Sequence, residues 1–163
     1  MHANQRLLNN FYAAFMRLDA EAMANCYAAD AWFEDEVFSL QGHEEVAAMW
    51  RMLCAAICEK SADVWALRAG GVEAGAISGH ARWVADYRFS ATGRIVHNVI
   101  HSGFEFNPGG LILRQRDKFD LWAWSRQALG VSGLLLGWTP FMHRKIREQA
   151  AVNLQKFIAH HRA

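Results

Sequence analysis

Between residues 64 and 124 apolar and polar side chains alternate with a period of two, and this constrains the fold more than any other feature of the chain. The segments VWALRA, VEAGAI, HARWVADYRF, RIVHNVIHSGFEF and LILRQRDKFDLWAW are rich in aromatic and β-branched residues and read as strands. Gly70-Gly71, Gly79, Ala91-Thr92-Gly93 and Asn107-Pro108-Gly109-Gly110 separate them, and each can supply the backbone angles of a turn. Connections this short make successive strands pair antiparallel.

Helical spacing flanks this meander on both sides. Leu7, Leu8, Phe11, Tyr12, Phe15 and Leu18 form one apolar stripe. Asp19 can cap a short second helix, with Ala22, Met23, Cys26 and Tyr27 as its apolar positions. AWFEDEVF reads as a strand, Gly42 ends it, and Glu44 and Glu45 stand where a helix N-terminus favours negative charge. Val46, Met49, Trp50, Leu53, Cys54 and Ile57 follow at helical spacing. After the meander, SRQALGVSGLLLG reads as one or two short helices broken by glycines. From His143 onward, Ile146, Ala150, Leu154, Phe157 and Ile158 make a last apolar stripe.

The expectation is an α+β fold: a curved, cone-shaped antiparallel sheet wrapped on N-terminal helices, with extra C-terminal helices. One domain is expected over residues 1–163, with a core at about 5–125 and a helical extension at 126–163. With 53% hydrophobic and 20% charged residues the chain can bury a core and is not disordered. Net charge is +1, so neither nucleic acid nor a membrane is an expected partner. Residues 1–81 nevertheless carry −6 and residues 82–163 carry +7, which reads as two complementary surfaces of one domain. Cys54 and Cys58 can share a core stripe, and three cysteines argue for reduced thiols in a cytoplasmic protein. The N-terminus lacks a signal peptide's apolar run. The uncharged region from Gln127 to His143 is broken by glycines and Pro140, so no membrane span is expected.

The run NCYAADAWFEDEVFSLQGHEEVAAMW resembles the start of the nuclear transport factor two-like superfamily, which includes SnoaL-like proteins and ketosteroid isomerases. GRIVHNVIHSGFEFNPGGLILRQRDKFD resembles its F-x-x-x-G-x-I hairpin. The resemblance implies a cystatin-like cone with a pocket, a homodimer through the outer sheet face, and an acid at the position of Asp35. Ketosteroid isomerases pair an aspartate base with an oxyanion hole of a tyrosine and a protonated aspartic acid. Aligned on the shared motifs, those donors fall on Phe11 and Ser102, and Tyr12 is turned about 100° away around its helix. Steroid isomerisation is therefore not expected.

Strand parity selects the remaining candidates. Asp35 shares parity with Phe33 and Val37, an apolar setting that raises a carboxyl pKa and suits acid/base work. The hairpin alignment that the resemblance supplies puts Gln115, Asp117 and Phe119 on the pocket-facing side of the last strand, matched by Asn98, Ser102 and Phe104 on the strand before and by the apolar parity of Trp83 and Tyr87 on the one before that. Asp117 could pair with Asp35; its bland alternative is a surface ion pair with Arg82, Arg94 or Arg114. His97 and His101, four apart on a strand, stand about 13 Å apart and cannot share one metal ion. Trp122 and Trp124 read as the end of the last strand. No G-x-S-x-G or phosphate-loop motif occurs.

The functional expectation is a pocket enzyme acting on a small apolar or weakly polar molecule without metal or organic cofactor. Asp35 and Asp117 are its catalytic candidates. Phe11, Tyr12, Trp83, Tyr87, Asn98, Ser102, Phe104, Gln115 and Phe119 are candidate substrate contacts. The alternative is a non-catalytic ligand-binding or dimerisation module of the same fold. The C-terminal extension is expected to close one end of the cavity or to extend an interface.

Overall fold

A computed structural model describes residues 1–162. Helices α1 (Ala3–Met16) and α2 (Ala20–Ala24) lead into β1 (Tyr27–Glu34), β2 (Ser39–Gln41) and α3 (His43–Lys60). Strands β3 (Ala66–Ala74), β4 (Ser78–Arg88), β5 (Ile95–Phe106) and β6 (Ile112–Lys118) follow, then α4 (Leu121–Leu129), α5 (Val131–Leu136) and α6 (Pro140–Arg162). The six strands form one sheet in the order β2-β1-β6-β5-β4-β3. Helices α1 and α3 lie against it and α6 packs on α3. This is the expected curved α+β cone.

The alternation that suggested strands is visible in the burial. Along β5, Val96, Asn98, Ile100, Ser102, Phe104 and Phe106 are buried, whereas His97, His101 and Glu105 are exposed. The buried parity meets Leu8, Phe11 and Phe15 of α1 and Val46, Met49 and Trp50 of α3 in one continuous core. Helix α2 starts where expected: the Asp19 carboxylate accepts from the Ala22 N–H.

Five readings of the sequence are corrected. The segment AWFEDEVF is the end of one strand and a tight turn, because the Asp35 side chain captures the Val37 and Phe38 N–H groups and reverses the chain. Tyr27 opens β1 rather than extending α2. Gly70 and Gly71 lie inside β3 at a register shift, and the turn comes at residues 75–77, where the Gly75 N–H donates to Ser78 O. Asp120 caps α4 by accepting from the Ala123 N–H, so Trp122 and Trp124 are helical; the cap outweighs their β preference. Cys58 is exposed while Cys54 is buried, because the buried stripe of α3 drifts past Ile57. One further pairing lay outside the antiparallel scheme: β1 runs parallel to β6, with Phe33 opposite Gln115.

Candidate active site

A cavity of about 640 Å³ opens between the concave sheet face, α3 and α6. Its lining is mostly apolar and includes Phe15 from α1, Trp50 and Leu53 from α3, and Trp83 from β4. Phe15 sits 5.1–5.4 Å, centroid to centroid, from the rings of Trp50, Trp65 and Trp83, so the floor is a rigid aromatic box. Two carboxyls, Asp35 and Asp117, line the same cavity.

Asp117 is 3% exposed and, among the described residues, has no cation beside it, in place of the surface ion pair that was its bland alternative. The Ser102 hydroxyl (2.5 Å) and the Gln115 amide (3.0 Å) both donate to its Oδ1. Each donor is oriented from behind by an indole. Trp83 Nε1 donates to Ser102 Oγ at 2.8 Å, so the serine hydrogen is left to point at Asp117. Trp50 Nε1 donates to Tyr27 Oη at 2.9 Å, and Tyr27 in turn donates to Gln115 Oε1 at 2.5 Å. An indole N–H can only donate, so this chain decides which end of the Gln115 amide faces Asp117. Among the described residues no hydrogen bond reaches Asp117 Oδ2. Burial raises the Asp117 carboxyl to about 7, against the lowering effect of Ser102 and Gln115, and the charge of Asp35 adds to the rise.

Asp35 is built on the same plan. The Val37 and Phe38 N–H groups donate to its Oδ1 at 2.7 and 2.6 Å, and no hydrogen bond reaches Oδ2 among the described residues. Burial raises its carboxyl to about 6; the two backbone donors oppose the rise, as does Arg147 to a smaller extent. Both carboxyls are thus anchored through one oxygen, and both titrate near neutrality inside an apolar hollow. Tyr87 also lines it, its hydroxyl accepting from Trp124 Nε1 at 2.7 Å, and burial pushes that phenol up to about 12.

Six of the residues singled out from sequence line the cavity: Asp35, Asp117, Trp83, Tyr87, Asn98 and Phe119. Five do not. Phe11, Tyr12 and Phe104 are core behind it, because the sequence stripe of α1 is wider than the part that reaches the hollow and only Phe15 does so. Ser102 and Gln115 are buried beneath Asp117 and act on it rather than on a ligand. Among the described residues the Tyr12 hydroxyl is buried without a well-formed hydrogen bond, with Ser102 as its nearest polar neighbour. The polar wall supplied by Lys145, Gln149 and Asn153 of α6 was not anticipated. Their spacing of four, alongside Ile146 and Ala150, was the available clue.

A SnoaL-like domain model matches residues 8–115, two thirds of the chain. The chain belongs to the SnoaL-like family. Solved structures place this SnoaL-like chain in the same fold. An LEH-like epoxide hydrolase from M. tuberculosis superposes with a TM-score of 0.62 at 17% identity, covering 82% of this chain and 96% of that one. A protein of ketosteroid isomerase-like fold from Catenulispora acidiphila, solved with trimethylamine, gives 0.62 at 15% identity over 82% and 97%. A bacterial protein with a cystatin-like fold from Silicibacter pomeroyi gives 0.57 at 11% over 90% and 84%. No curated protein sequence matches significantly.

Proposed function

We propose that this SnoaL-like chain is an acid/base enzyme acting on a small apolar or weakly polar molecule. The observation that carries the reading is the pair of carboxyls in one apolar cavity, Asp35 titrating at about 6 and Asp117 at about 7. Near neutral pH the lower-titrating Asp35 is ionised and its charge favours a proton on Asp117. Ser102 and Gln115 occupy Asp117 Oδ1, so that proton resides on Oδ2, the oxygen free to meet a ligand.

The chemistry suited to this pair is addition of water to, or proton relocation within, a substrate carrying one polar oxygen. Asp117 Oδ2–H gives its proton to that oxygen as the adjacent carbon–oxygen bond breaks. Asp35 takes a proton from the attacking water or from a carbon, and solvent returns the proton from Asp35 to Asp117. Ring opening of an epoxide is the simplest case, and the M. tuberculosis structure of this fold is named for that activity. The apolar walls bind the hydrocarbon part and exclude bulk water, which strengthens the field of both carboxyls.

The test is turnover of a panel of epoxides, enones and lactones by the wild type, Asp35→Asn and Asp117→Asn. The expected result is turnover of at least one compound and a loss of roughly 100- to 1000-fold in each variant, the usual range for removing one such group. Binding without turnover, or an undiminished Asp117→Asn, would replace this reading with that of a ligand-binding module.

A further inference from the structure

A run of exposed apolar side chains lies at the α5–α6 corner. Leu134, Leu135, Leu136, Trp138 and Phe141 are all exposed, with Leu135 at 62%, Trp138 at 63% and Phe141 at 59%. This arrangement is built into the packing. The inward side of α5 consists of glycine: a Cβ on Gly133 would stand 1.9 Å from Ser125 O, and one on Gly137 would stand 2.0 Å from Ser125 Oγ. Only the smallest residues fit against α4, so the leucines between them are turned outward. Contiguous exposed apolar surface of this kind marks an interaction site.

The charge around the corner narrows the partner. No acid occurs in the sequence between Asp120 and Glu148, whereas Arg126 and Arg144 lie in that stretch and are exposed; Lys145 faces the cavity and Arg147 is bonded to Glu36 O. Arg94 adds a third exposed cation at the base of α5, beside Gly130 and bonded to Gln127 O. An apolar tip of Leu, Trp and Phe fringed by cations is the composition of an element that lies in a membrane interface. A two-fold contact with a second copy would bring this fringe against itself, which like-charge repulsion opposes.

We infer that the α5–α6 corner docks on an anionic phospholipid surface, with Leu135, Trp138 and Phe141 inserted among the acyl chains and the surrounding cations on the headgroups. No helix of the described residues is long and apolar enough to cross a membrane, so the attachment is interfacial. It departs from the expectation of no membrane partner, which was drawn from the net charge of the whole chain and not from the local charge of this corner. The same segment borders the cavity: Leu129, Met142, Lys145 and Ile146 line it. A docked molecule therefore presents its hollow beside the lipid, where an apolar compound is concentrated. The docking is independent of whether Asp35 and Asp117 are catalytic.

The experiment is co-sedimentation of the full chain with vesicles of phosphatidylcholine alone and of phosphatidylcholine with phosphatidylglycerol. Arms with Leu135→Asp, with Trp138→Ala and with Arg126→Glu/Arg144→Glu are run beside the wild type, and the mass in solution is measured by light scattering. All four substituted side chains are exposed, and circular dichroism checks that each variant is folded. The proposal expects binding to the anionic vesicles that falls with added salt, is lost in Leu135→Asp, and drops roughly ten-fold or more on charge reversal. Absence of binding to anionic vesicles overturns it. So does binding that survives Leu135→Asp. Self-association abolished by Leu135→Asp, with no vesicle binding, assigns the corner to a second copy instead and also overturns it.

Discussion

Ser102 Oγ and Gln115 Nε2 meet on the same oxygen of Asp117, at 2.5 and 3.0 Å, and leave its other oxygen without a protein partner among the described residues. Two donors on one oxygen fix the plane of the carboxyl and settle which oxygen can carry a proton. The arrangement depends on two indoles, Trp50 and Trp83, whose rings also form part of the cavity floor.

Asp117→Asn should stabilise the protein at pH 8 and leave it nearly unchanged at pH 4. A carboxyl at about 7 in the folded chain, against 3.8 for a freely solvated aspartate, is raised by folding. Its contribution is present in full below about pH 4 and is lost as pH rises through 7. Asparagine keeps the acceptor for Ser102 and Gln115 and removes the buried charge. The gain at pH 8 is at most about 4 kcal/mol, the free-energy equivalent of that rise. Thermal melts of both proteins across the pH range check the sign.

Tyr27→Phe should act on Asp117 through Gln115. The phenol hydroxyl is the donor that holds Gln115 Oε1 and the acceptor for Trp50 Nε1. Its removal leaves both without partners in a buried setting, at a cost of about 1–3 kcal/mol in stability. A Gln115 amide free to turn no longer donates reliably to Asp117, so the Asp117 carboxyl should titrate higher than in the wild type. The upward move of the alkaline limb of a pH–rate curve, or of the Asp117 carboxyl resonance in NMR, separates this effect from simple loss of packing.

Catalysis by an ionised Asp35 and a protonated Asp117 predicts a narrow bell-shaped pH dependence, with limbs near 6 and 7. The two groups interact, so the limbs belong to the pair. Asp35→Asn should remove the acid limb, and a flat profile in the wild type would contradict the assignment.

Gly133→Ala should loosen the C-terminal helices while sparing the sheet. The added methyl would stand 1.9 Å from Ser125 O, a backbone atom that cannot swing aside. Overpacking of this kind costs about 1–3 kcal/mol. Hydrogen exchange should quicken in α4 and α5 and stay slow in β4 and β5.

The inward faces of β4, β5 and β6 were legible because period-two alternation survives local irregularity; Trp83, Asn98, Ser102 and Asp117 all fall on the predicted side. Asp35 was placed on the correct side of its segment even though it sits in a turn, since the turn preserved the parity of Phe33 and Val37 at the cavity. Tyr27 and Trp50 were missed as supports of Gln115. The contact between Tyr27 and Gln115 spans 88 positions and exists only because β1 lies parallel beside β6, a pairing that no short-range pattern encodes. Tyr12 was misplaced for a different reason: a helical stripe says which side is buried, and gives no account of whether the far side of that burial is a hollow or solid core.

The parallel junction of β1 and β6 has a consequence for how the molecule is made. Strand β1 leaves the ribosome early, yet its neighbour β6 begins only at Ile112. Until then one margin of β1 has no ladder to join, and the β3–β5 meander can pair without it. The first acid of the pair is therefore synthesised long before the wall that will face it. The hollow becomes a container late in synthesis, after β6 slots between two strands that already exist and α6 then covers the opening.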